Sequence, residues 1–382
     1  MHPVERISAQ TALELARQLA ADFATRADEA DKQAKLPPED VRALRESGYA
    51  CISVPQEFGG WGLSLRECVE AQLELAQGSA SSAMVAGMQI HLFGNVREIR
   101  RWSDAHFERF CRQAAAGGLF NSVASEPAMG SPSRGAFFAT NAVREGDYWR
   151  INGHKTWTTG GRHLTHMLVR LDVEGQPGAI IIPAETPGIT WKETWGEALS
   201  LRATDSHDVY FNDVLVPHDN LVELGQRDEK VPNAWFPMIM ASVYLGAALA
   251  ARSAVIRFAL ERVPTALGKP IATLPKIQRQ IGEIDLMLQA ARALLFEVAG
   301  EWTGDERSKG AFPRIAAAKH LAVETANAVT DKVLQIAGGS SLTREMPLER
   351  HFRDTRAGLM QPPSGDTALE IVGRGAIERP DT

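Results

Sequence analysis

The segment from Ser122 to Ser133 gathers small and hydroxyl residues around prolines and a glycine, and it contains Ser125-Glu-Pro-Ala-Met-Gly-Ser. A loop of this composition can present backbone N–H groups and hydroxyl donors to a heteroaromatic ring or a phosphate. Clusters of serine, proline and glycine are more often simple turns. Alone, the segment therefore indicates a turn and only weakly indicates a binding loop.

A tryptophan lies between hydroxyl residues in the segment Ile151-Asn-Gly-His-Lys-Thr-Trp-Thr-Thr-Gly-Gly. The Asn152-Gly153 pair predicts a hairpin turn, and the residues after it predict a strand that carries Trp157. A tryptophan supplies a flat apolar face for a ring, and a neighbouring hydroxyl can hydrogen-bond to the edge of that ring. An isolated tryptophan in a strand is more often a core residue.

A third segment, Leu334-Gln-Ile-Ala-Gly-Gly-Ser-Ser, predicts a helix that ends in paired glycines and is followed by a charge-rich stretch. Glycines at such a place allow a pyrophosphate to approach the backbone closely. The simpler interpretation is a glycine C-cap followed by a structural network of charged side chains. That network would contain Arg344, Glu349, Arg353 and Asp354.

Three regions must position these segments. Residues 1–119 carry apolar residues at helical spacing and predict a helical N-terminal domain. Residues 120–219 contain short β-rich runs between turn residues and predict a small central β-barrel or β-sandwich domain. Residues 220–382 carry long amphipathic stripes and predict a C-terminal four-helix bundle. The fold class is therefore α+β and mainly α, and no Gly-x-Gly-x-x-Gly follows a strand to indicate a Rossmann site.

Composition limits the partners of the chain. With 382 residues, 44% of them hydrophobic, and a net charge of −6, it predicts a folded protein that does not bind nucleic acid or an anionic membrane surface. Its three cysteines fit neither a disulfide framework nor a metal site, so we expect no metal and a cytoplasmic location. The N-terminus lacks a signal-peptide core and charges interrupt the long apolar runs, so we expect no membrane span.

In this order, and in a helical, β and helical layout, the segments resemble the acyl-CoA dehydrogenase family from end to end. The resemblance implies a flavin-dependent oxidoreductase that binds FAD, with FMN or reduced flavin as alternatives, and that forms a homodimer or homotetramer. It also implies a small-molecule or acyl-thioester substrate and an electron-transfer partner or flavin reductase. The landmarks are Val54-Pro-Gln-Glu-Phe-Gly-Gly-Trp-Gly-Leu, the Ser125 loop, Lys155-Thr-Trp-Thr-Thr-Gly, Phe211-Asn-Asp-Val-Leu-Val-Pro, Leu267-Gly-Lys-Pro-Ile and Gln335-Ile-Ala-Gly-Gly.

The same resemblance implies roles for individual residues. Ala124 and Ser125 would contact the pyrimidine side of the flavin, and Trp157 and Thr159 would lie against the ring near N5. Ser131 would touch the acyl-carrier portion of the substrate. The residues in the segment that reaches the FAD of a neighbouring subunit are Gln335, Gly338 and Gly339.

Two departures from the family pattern concern the cofactor and the chemistry. Relatives carry an arginine that grips the pyrophosphate of the partner's FAD; this chain has Pro264 there, and Arg262 is the nearest substitute. Without that bidentate contact, FAD binds more weakly. Relatives also place a glutamate just ahead of the last helix, and this chain has Pro362 there. The alternative family position for the acid falls near Ala241-Ser242, which offers no carboxylate.

The absent glutamate leaves the reaction open. The resemblance favours α,β-dehydrogenation of an acyl thioester, in which a carboxylate takes the α-proton while a hydride leaves for flavin N5. Asp366 is the nearest acid, although capping the last helix is its simpler role. The alternatives are a monooxygenase that uses reduced flavin and O2, and a non-dehydrogenating relative such as a desulfinase. Such monooxygenases tend to carry a histidine in the stretch that corresponds to residues 355–363, where this chain has none.

Overall fold

The computed structural model describes residues 8–128, 138–225, 232–305 and 310–379. Its N-terminal part is helical, and α5 is buried on nearly every face because small and apolar residues surround its axis. The first strand of the sheet packs against this helix. The helices are α1 (Ala9–Ala24), α2 (Ala27–Gln33), α3 (Pro38–Glu46), α4 (Leu65–Ala76), α5 (Ala80–Ile99) and α6 (Asp104–Ala115).

The central part is a mixed sheet in the order β6-β7-β3-β2-β4-β5-β8, with β1 paired to β4 in parallel. Its strands alternate buried and more exposed residues, which is the pattern of a sheet with one face on a core. The strands are β1 (Phe120–Val123), β2 (Asn141–Glu145), β3 (Tyr148–Thr158), β4 (His166–Val173), β5 (Gln176–Pro183), β6 (Ile189–Lys192), β7 (His207–Pro217) and β8 (Leu221–Leu224).

The predicted hairpin turn at Asn152-Gly153 is wrong, because both residues lie inside β3. The turn between β2 and β3 is Gly146-Asp147, where Glu145 pairs with Tyr148. Gly153 is needed for another reason: a Cβ there would lie 2.5 Å from the Thr140 side chain. A glycine in a strand that allows close approach of a neighbouring segment produces the same sequence signal as a turn.

The C-terminal part is helical again, and the two predicted apolar stripes are buried along α8 and α9. α7 contains a run from Ala234 to Ala251 without a charged residue, so the expectation that charges interrupt every long apolar run was wrong. By length and composition alone α7 could cross a membrane, but 72% of its most apolar window is buried against other helices. The helices are α7 (Trp235–Glu261), α8 (Pro275–Glu301), α9 (Phe312–Ala337), α10 (Leu348–Asp354) and α11 (Gly365–Glu378).

An aromatic cluster joins the helical part to the sheet where α5, α6 and β1 meet. The rings of Phe93 and Phe120 lie 5.3 Å apart edge to face, and Trp102 contacts Phe93 and Phe110 in the same manner. Such contacts favour one relative orientation of the packed elements. This cluster fixes β1, and with it the start of the loop that follows Val123.

Candidate functional site

The structure brings together the two segments that were predicted to contact a flavin ring. β1 ends at Val123, and the backbone N–H of Thr156 in β3 donates to the carbonyl oxygen of Ser125 at 2.9 Å. The Lys155 ammonium in the same strand donates to the carbonyl oxygen of Ala124 at 3.2 Å. Ala124 and Ser125 are therefore held against the stretch of β3 that leads to Trp157.

Trp157 does not lie in the core. Its side chain is 64% exposed, and its backbone has φ of +57° where the pairing of β3 with β7 shifts register between Lys155 and Thr158. A left-handed conformation at a bulky residue costs about 1–3 kcal/mol and persists only where the surrounding structure enforces it. The bulge turns the indole out of the sheet and leaves its flat face available to a planar ligand.

The threonines on either side of Trp157 have hydroxyl groups without a hydrogen-bond partner among the described residues. The Oγ1 atoms of Thr156 and Thr158 are buried and have no hydrogen-bond partner among the described residues. Thr159 is held in place, because its Oγ1 lies 2.9 Å from Ser206 Oγ and its carbonyl accepts from Asn121 Nδ2 at 2.8 Å. Buried polar atoms are normally paired, so these two hydroxyls have hydrogen-bonding capacity that the described residues leave unused. A flavin, with an aromatic face and polar ring atoms, fits this set.

A buried ion pair closes the loop around Ala124 and Ser125. Glu126 accepts from Lys155 Nζ at 2.7 Å and from the backbone N–H groups of Ala139 and Thr140 at 2.7 and 3.0 Å. Burial opposes ionisation of Glu126, but these hydrogen bonds outweigh burial and lower the pKa of its carboxyl. Burial lowers the pKa of Lys155 to about 8, although Glu126 opposes that shift.

One face of α5 carries buried residues that connect it to α7 and to the turn before α11. Met84, Met88, His91 and Asn95 recur at helical spacing and so lie on that face. Met84 Sδ lies 4.0 Å from Gln361 Nε2 in the turn before α11, and His91 meets the ring of Phe236 in α7 edge to face at 5.0 Å. His91 was not singled out from the sequence, although it lies on the same stripe as Met84 and Met88.

A short segment between β6 and β7 connects the α5 face to the end of β3. α5 packs against residues 202–204, and the carbonyl oxygen of Thr204 accepts from the backbone N–H of Gly160 at 2.9 Å. Gly160 follows Trp157 by three residues. The α5 face and the end of β3 are therefore parts of one connected structure.

The turn that carries Pro362 is held by a buried lysine of α9. Lys319 Nζ donates to the carbonyl oxygens of Gly358, Gln361 and Pro363 at 2.9, 2.8 and 2.9 Å. Burial lowers the pKa of Lys319 to about 8. Pro362 itself is exposed at the tip of this turn.

Asp366 does not cap the last helix. The N-cap of α11 is Ser364, and Asp366 lies in the first helical turn with an exposed side chain. The expectation that capping is its simpler role was therefore wrong. As a candidate base, Asp366 stays a prediction.

The other predicted cofactor residues lie at the ends of helices in the C-terminal part. Arg262 is the exposed C-cap of α7. Gln335 bonds to Asp331 near the end of α9, and Gly338 follows with φ of +59°. Within the described residues no hydrogen bond connects Arg262, Gln335, Gly338 or Gly339 to the Trp157 segment, which is compatible with a role toward a neighbouring subunit. Ser131 lies outside the described residues.

Comparisons with known proteins agree with this architecture. The family models for the N-terminal, middle and C-terminal domains of acyl-CoA dehydrogenase match residues 8–118, 122–214 and 238–360. A putative acyl-CoA dehydrogenase of Bacillus subtilis, YdbM, is 36% identical over 94% of this chain and 95% of its own length. The 3-sulfinopropanoyl-CoA desulfinase of Paraburkholderia xenovorans is 31% identical over 92% of this chain and 91% of its own length. The bovine short-chain specific acyl-CoA dehydrogenase is 30% identical over 90% of this chain and 84% of its own length.

Solved structures show the same fold. FMN-bound TdsC of Paenibacillus sp. A11-2, a dibenzothiophene monooxygenase, superposes with a TM-score of 0.87 at 25% identity, over 96% of this chain and 97% of its own. Butyryl-CoA dehydrogenase of Megasphaera elsdenii superposes with a TM-score of 0.84 at 24% identity, over 97% and 98%. Because three family models and a relative 36% identical match nearly the whole chain, the chain belongs to the acyl-CoA dehydrogenase family and is a flavin-dependent enzyme.

Proposed function

We propose that the chain is a monooxygenase that uses reduced flavin and O2 to oxygenate a small molecule. The observation that carries this proposal is the absence of a carboxylate from both positions where the family places its base. Pro362 is exposed at one of them, and Ala241 and Ser242 are buried at the other. Dehydrogenation of a thioester requires a base for the α-proton, whereas oxygenation by reduced flavin has no such requirement.

His91 supplies a proton-transfer group on the α5 face. Its ring is 7% exposed and is oriented by the edge-to-face contact with Phe236. An imidazole changes protonation state near neutral pH and can donate to an oxygen atom of a substrate. In this proposal His91 takes the role that relatives give to a histidine after the segment equivalent to His351-Phe-Arg-Asp.

The cofactor side of the site supports the same proposal. The family arginine that grips the FAD pyrophosphate is replaced by Pro264, and Arg262 is exposed at the end of α7. A site without that contact gains less from the adenosine half of FAD, so it suits FMN or a reduced flavin delivered by a separate reductase. The similarity to FMN-bound TdsC also supports FMN as the cofactor.

A second candidate is α,β-dehydrogenation of an acyl thioester with Asp366 as the base. The observation that favours it is that Ser364, not Asp366, occupies the N-cap of α11, so the carboxylate has no capping role. Two relatives named as acyl-CoA dehydrogenases are 36% and 30% identical to this chain. In this case the partner would be an electron-transfer protein in place of a reductase. The relative named 3-sulfinopropanoyl-CoA desulfinase supports a third outcome, a reaction on a thioester without dehydrogenation.

We further propose that the chain assembles as a homodimer or homotetramer in the cytoplasm. The three cysteines are free and buried, which suits a reducing compartment. The C-terminal part exposes large apolar side chains that an assembly would cover. They are Leu286, Leu342, Met360, Leu369 and Ile377.

One experiment separates the two reactions. Protein loaded with FMN or FAD is titrated anaerobically with butyryl-CoA, and in parallel it is reduced and mixed with 18O2 and indole or dibenzothiophene. The proposal predicts no bleaching by the thioester and 18O in the organic product, above the level given by free reduced flavin. Bleaching of the flavin by the thioester, with no 18O product, would replace the proposal by the dehydrogenase.

A matched pair of variants tests the role of His91. His91→Gln should lower 18O incorporation by at least about tenfold and divert O2 to hydrogen peroxide, since a proton-transfer group typically contributes about 10²–10⁴-fold. Met88→Leu alters the same face of α5 without a proton-transfer group and should keep product formation within about twofold, because this swap nearly conserves volume. Equal effects of both variants would remove His91 from the chemistry.

A further inference from the structure

We propose that the buried pair Lys155–Glu126 positions and polarises the Ala124–Ser125 peptide group, and thereby favours binding of the reduced flavin over the oxidised flavin. This inference uses the flavin placement of the site described above, and it holds for either reaction. Lys155 and Glu126 act through the loop, so they are positioning residues.

Lys155 contacts several of the groups that lie near the proposed position of the flavin ring. Its side chain is fully buried, and Nζ lies 4.4 Å from the centre of the Phe138 ring. Nζ donates both to the carbonyl oxygen of Ala124 and to Glu126 Oε1. Two residues later in the strand comes Trp157, with its left-handed backbone. From the strand that carries the tryptophan, one ammonium group therefore contacts the Ala124 carbonyl, the Glu126 carboxylate and the Phe138 ring.

Glu126 fixes the same loop at its return. One carboxylate oxygen accepts from Lys155 Nζ and from the backbone N–H of Thr140, and the other accepts from that of Ala139. Ala139 and Thr140 lie 13 and 14 residues further along the chain, so Glu126 joins the Ala124–Ser125 loop to the segment that leads into β2. A pair of apolar residues of similar volume could fill this space, but it could not set the direction of a carbonyl group.

The direction of the Ala124 carbonyl determines where the next N–H points. The Ala124–Ser125 peptide is trans, so its C=O and its N–H point in opposite directions. The carbonyl points at Lys155, and the Ser125 N–H therefore points away from it. Within the described residues no acceptor is bonded to this N–H. With a flavin bound as the family resemblance implies, Ser125 would lie against the pyrimidine side, and this N–H would be its donor to that side of the ring.

A positive charge on the carbonyl side strengthens the N–H as a donor, because hydrogen bonds in series polarise one another in a low-dielectric interior. Two-electron reduction adds negative charge to the pyrimidine side of a flavin. A polarised N–H aimed at that charge stabilises the reduced form more than the oxidised form. The expected consequence is a tighter complex with reduced flavin and a raised midpoint potential of the bound cofactor.

The test compares Lys155→Met with the double variant Lys155→Met/Glu126→Gln. The single variant leaves a buried carboxylate without its ammonium group and is expected to lose stability. The double variant has no uncompensated charge, since the introduced glutamine is neutral, so its melting temperature should recover most of the loss. Each holoenzyme is then titrated for its affinity for oxidised and for reduced FMN, and its midpoint potential is measured by anaerobic reduction against a dye.

The proposal predicts that the double variant still binds reduced FMN about tenfold less tightly relative to oxidised FMN, as expected for loss of one charge-assisted interaction. Lys155→Arg keeps a positive charge at the Ala124 carbonyl. On a logarithmic scale, its ratio of reduced to oxidised FMN affinity should lie at least halfway from the value of the double variant to that of the wild type. Lys319→Met removes a buried lysine outside the flavin segments and should leave the ratio unchanged. A wild-type ratio in the double variant would overturn the proposal and reduce Lys155–Glu126 to a stabilising pair.

The ratio of the affinities for reduced and oxidised FMN is measured without turnover. A failure to oxygenate indole or to oxidise butyryl-CoA changes the proposed reaction and does not change the ratio of the two affinities. Conversely, an unchanged ratio leaves both candidate reactions as they stand.

Discussion

Lys155 in the sheet and Lys319 in the helical bundle are both buried lysines that tie a loop to regular structure, but they do so with different partners. Their exposed fractions are 0% and 2%, and burial lowers the pKa of each to about 8. Lys155 faces the carboxylate of Glu126 and one carbonyl. Lys319 faces only carbonyl oxygens, three of them from one turn.

The difference shows what each clamp can do. A carboxylate partner makes the Lys155 pair neutral overall, so its proposed effect on the cofactor comes from the ammonium group at the Ala124 carbonyl and not from a net charge. Three carbonyls leave the charge of Lys319 in place, and in exchange they fix three points of the turn that carries Pro362. The first arrangement suits polarising a peptide group, and the second suits holding the backbone rigid where the family keeps its base.

The largest effect on stability is expected for Lys155→Met. Removal of one partner of a buried ion pair typically costs about 3–5 kcal/mol, because the other charge is left uncompensated. Glu126 keeps its two backbone donors, which places the expected loss toward the lower end of that range. Urea unfolding of the flavin-free protein measures it. A loss below about 1 kcal/mol would show that Glu126 becomes protonated or solvated and that the pair is not a strong constraint.

Lys319→Met should destabilise the protein somewhat less. It leaves three carbonyls without their donor, at about 1–3 kcal/mol for each unsatisfied buried group, but it also removes the cost of burying the ammonium group and leaves no uncompensated charge. The same unfolding measurement gives the value. A larger loss for Lys319→Met than for Lys155→Met would reverse the comparison and make the turn, not the flavin segment, the more strongly held of the two.

Trp157 tests the flavin side without involving either lysine. Trp157→Ala should weaken flavin binding by about tenfold, since an aromatic contact contributes about 0.5–1.5 kcal/mol beyond its buried area. Because the side chain is exposed, the stability of the flavin-free protein should change little. Trp157→Gly is the matched control: it removes the same ring but relieves the left-handed backbone, and it should unfold at higher urea than Trp157→Ala. Unchanged flavin affinity in both would remove Trp157 from the site.

Much of this architecture could be predicted from the sequence, because the landmark segments and the helical stripes are local patterns. The bulge at Trp157 could not, since nothing in Lys155-Thr-Trp-Thr signals a left-handed tryptophan. Neither buried lysine could be recognised, because lysines are usually exposed and burial depends on partners far away in sequence. The cap of α11 was misplaced by two residues, since Ser364 and Asp366 are both residue types that favour an N-cap.

Pro362→Glu tests the bundle side of the comparison, where Lys319 holds the turn. With the turn fixed, a glutamate there stands at the family's base position, and anaerobic bleaching by butyryl-CoA should appear or rise several-fold if a thioester binds in the family's pose. Asp366→Asn is the control for the existing acid and should abolish any bleaching seen in the unmodified protein. No bleaching in Pro362→Glu, with the fold and flavin intact, would count against thioester binding in that pose.

Lys319 should also give the stability of the protein a pH dependence. Its pKa is about 8 in the folded protein, below that of an exposed lysine near 10.5, so the unfolded chain binds more protons between these two values. The free energy of unfolding should therefore gain a contribution from this residue as pH rises from about 8 to 10, by no more than about 1.4 kcal/mol per pH unit. Urea titrations of the wild type and of Lys319→Met over that range isolate it, because Lys155 is common to both. Parallel pH profiles would mean that the three carbonyls hold the ammonium charged throughout, and that this clamp does not titrate below about pH 10.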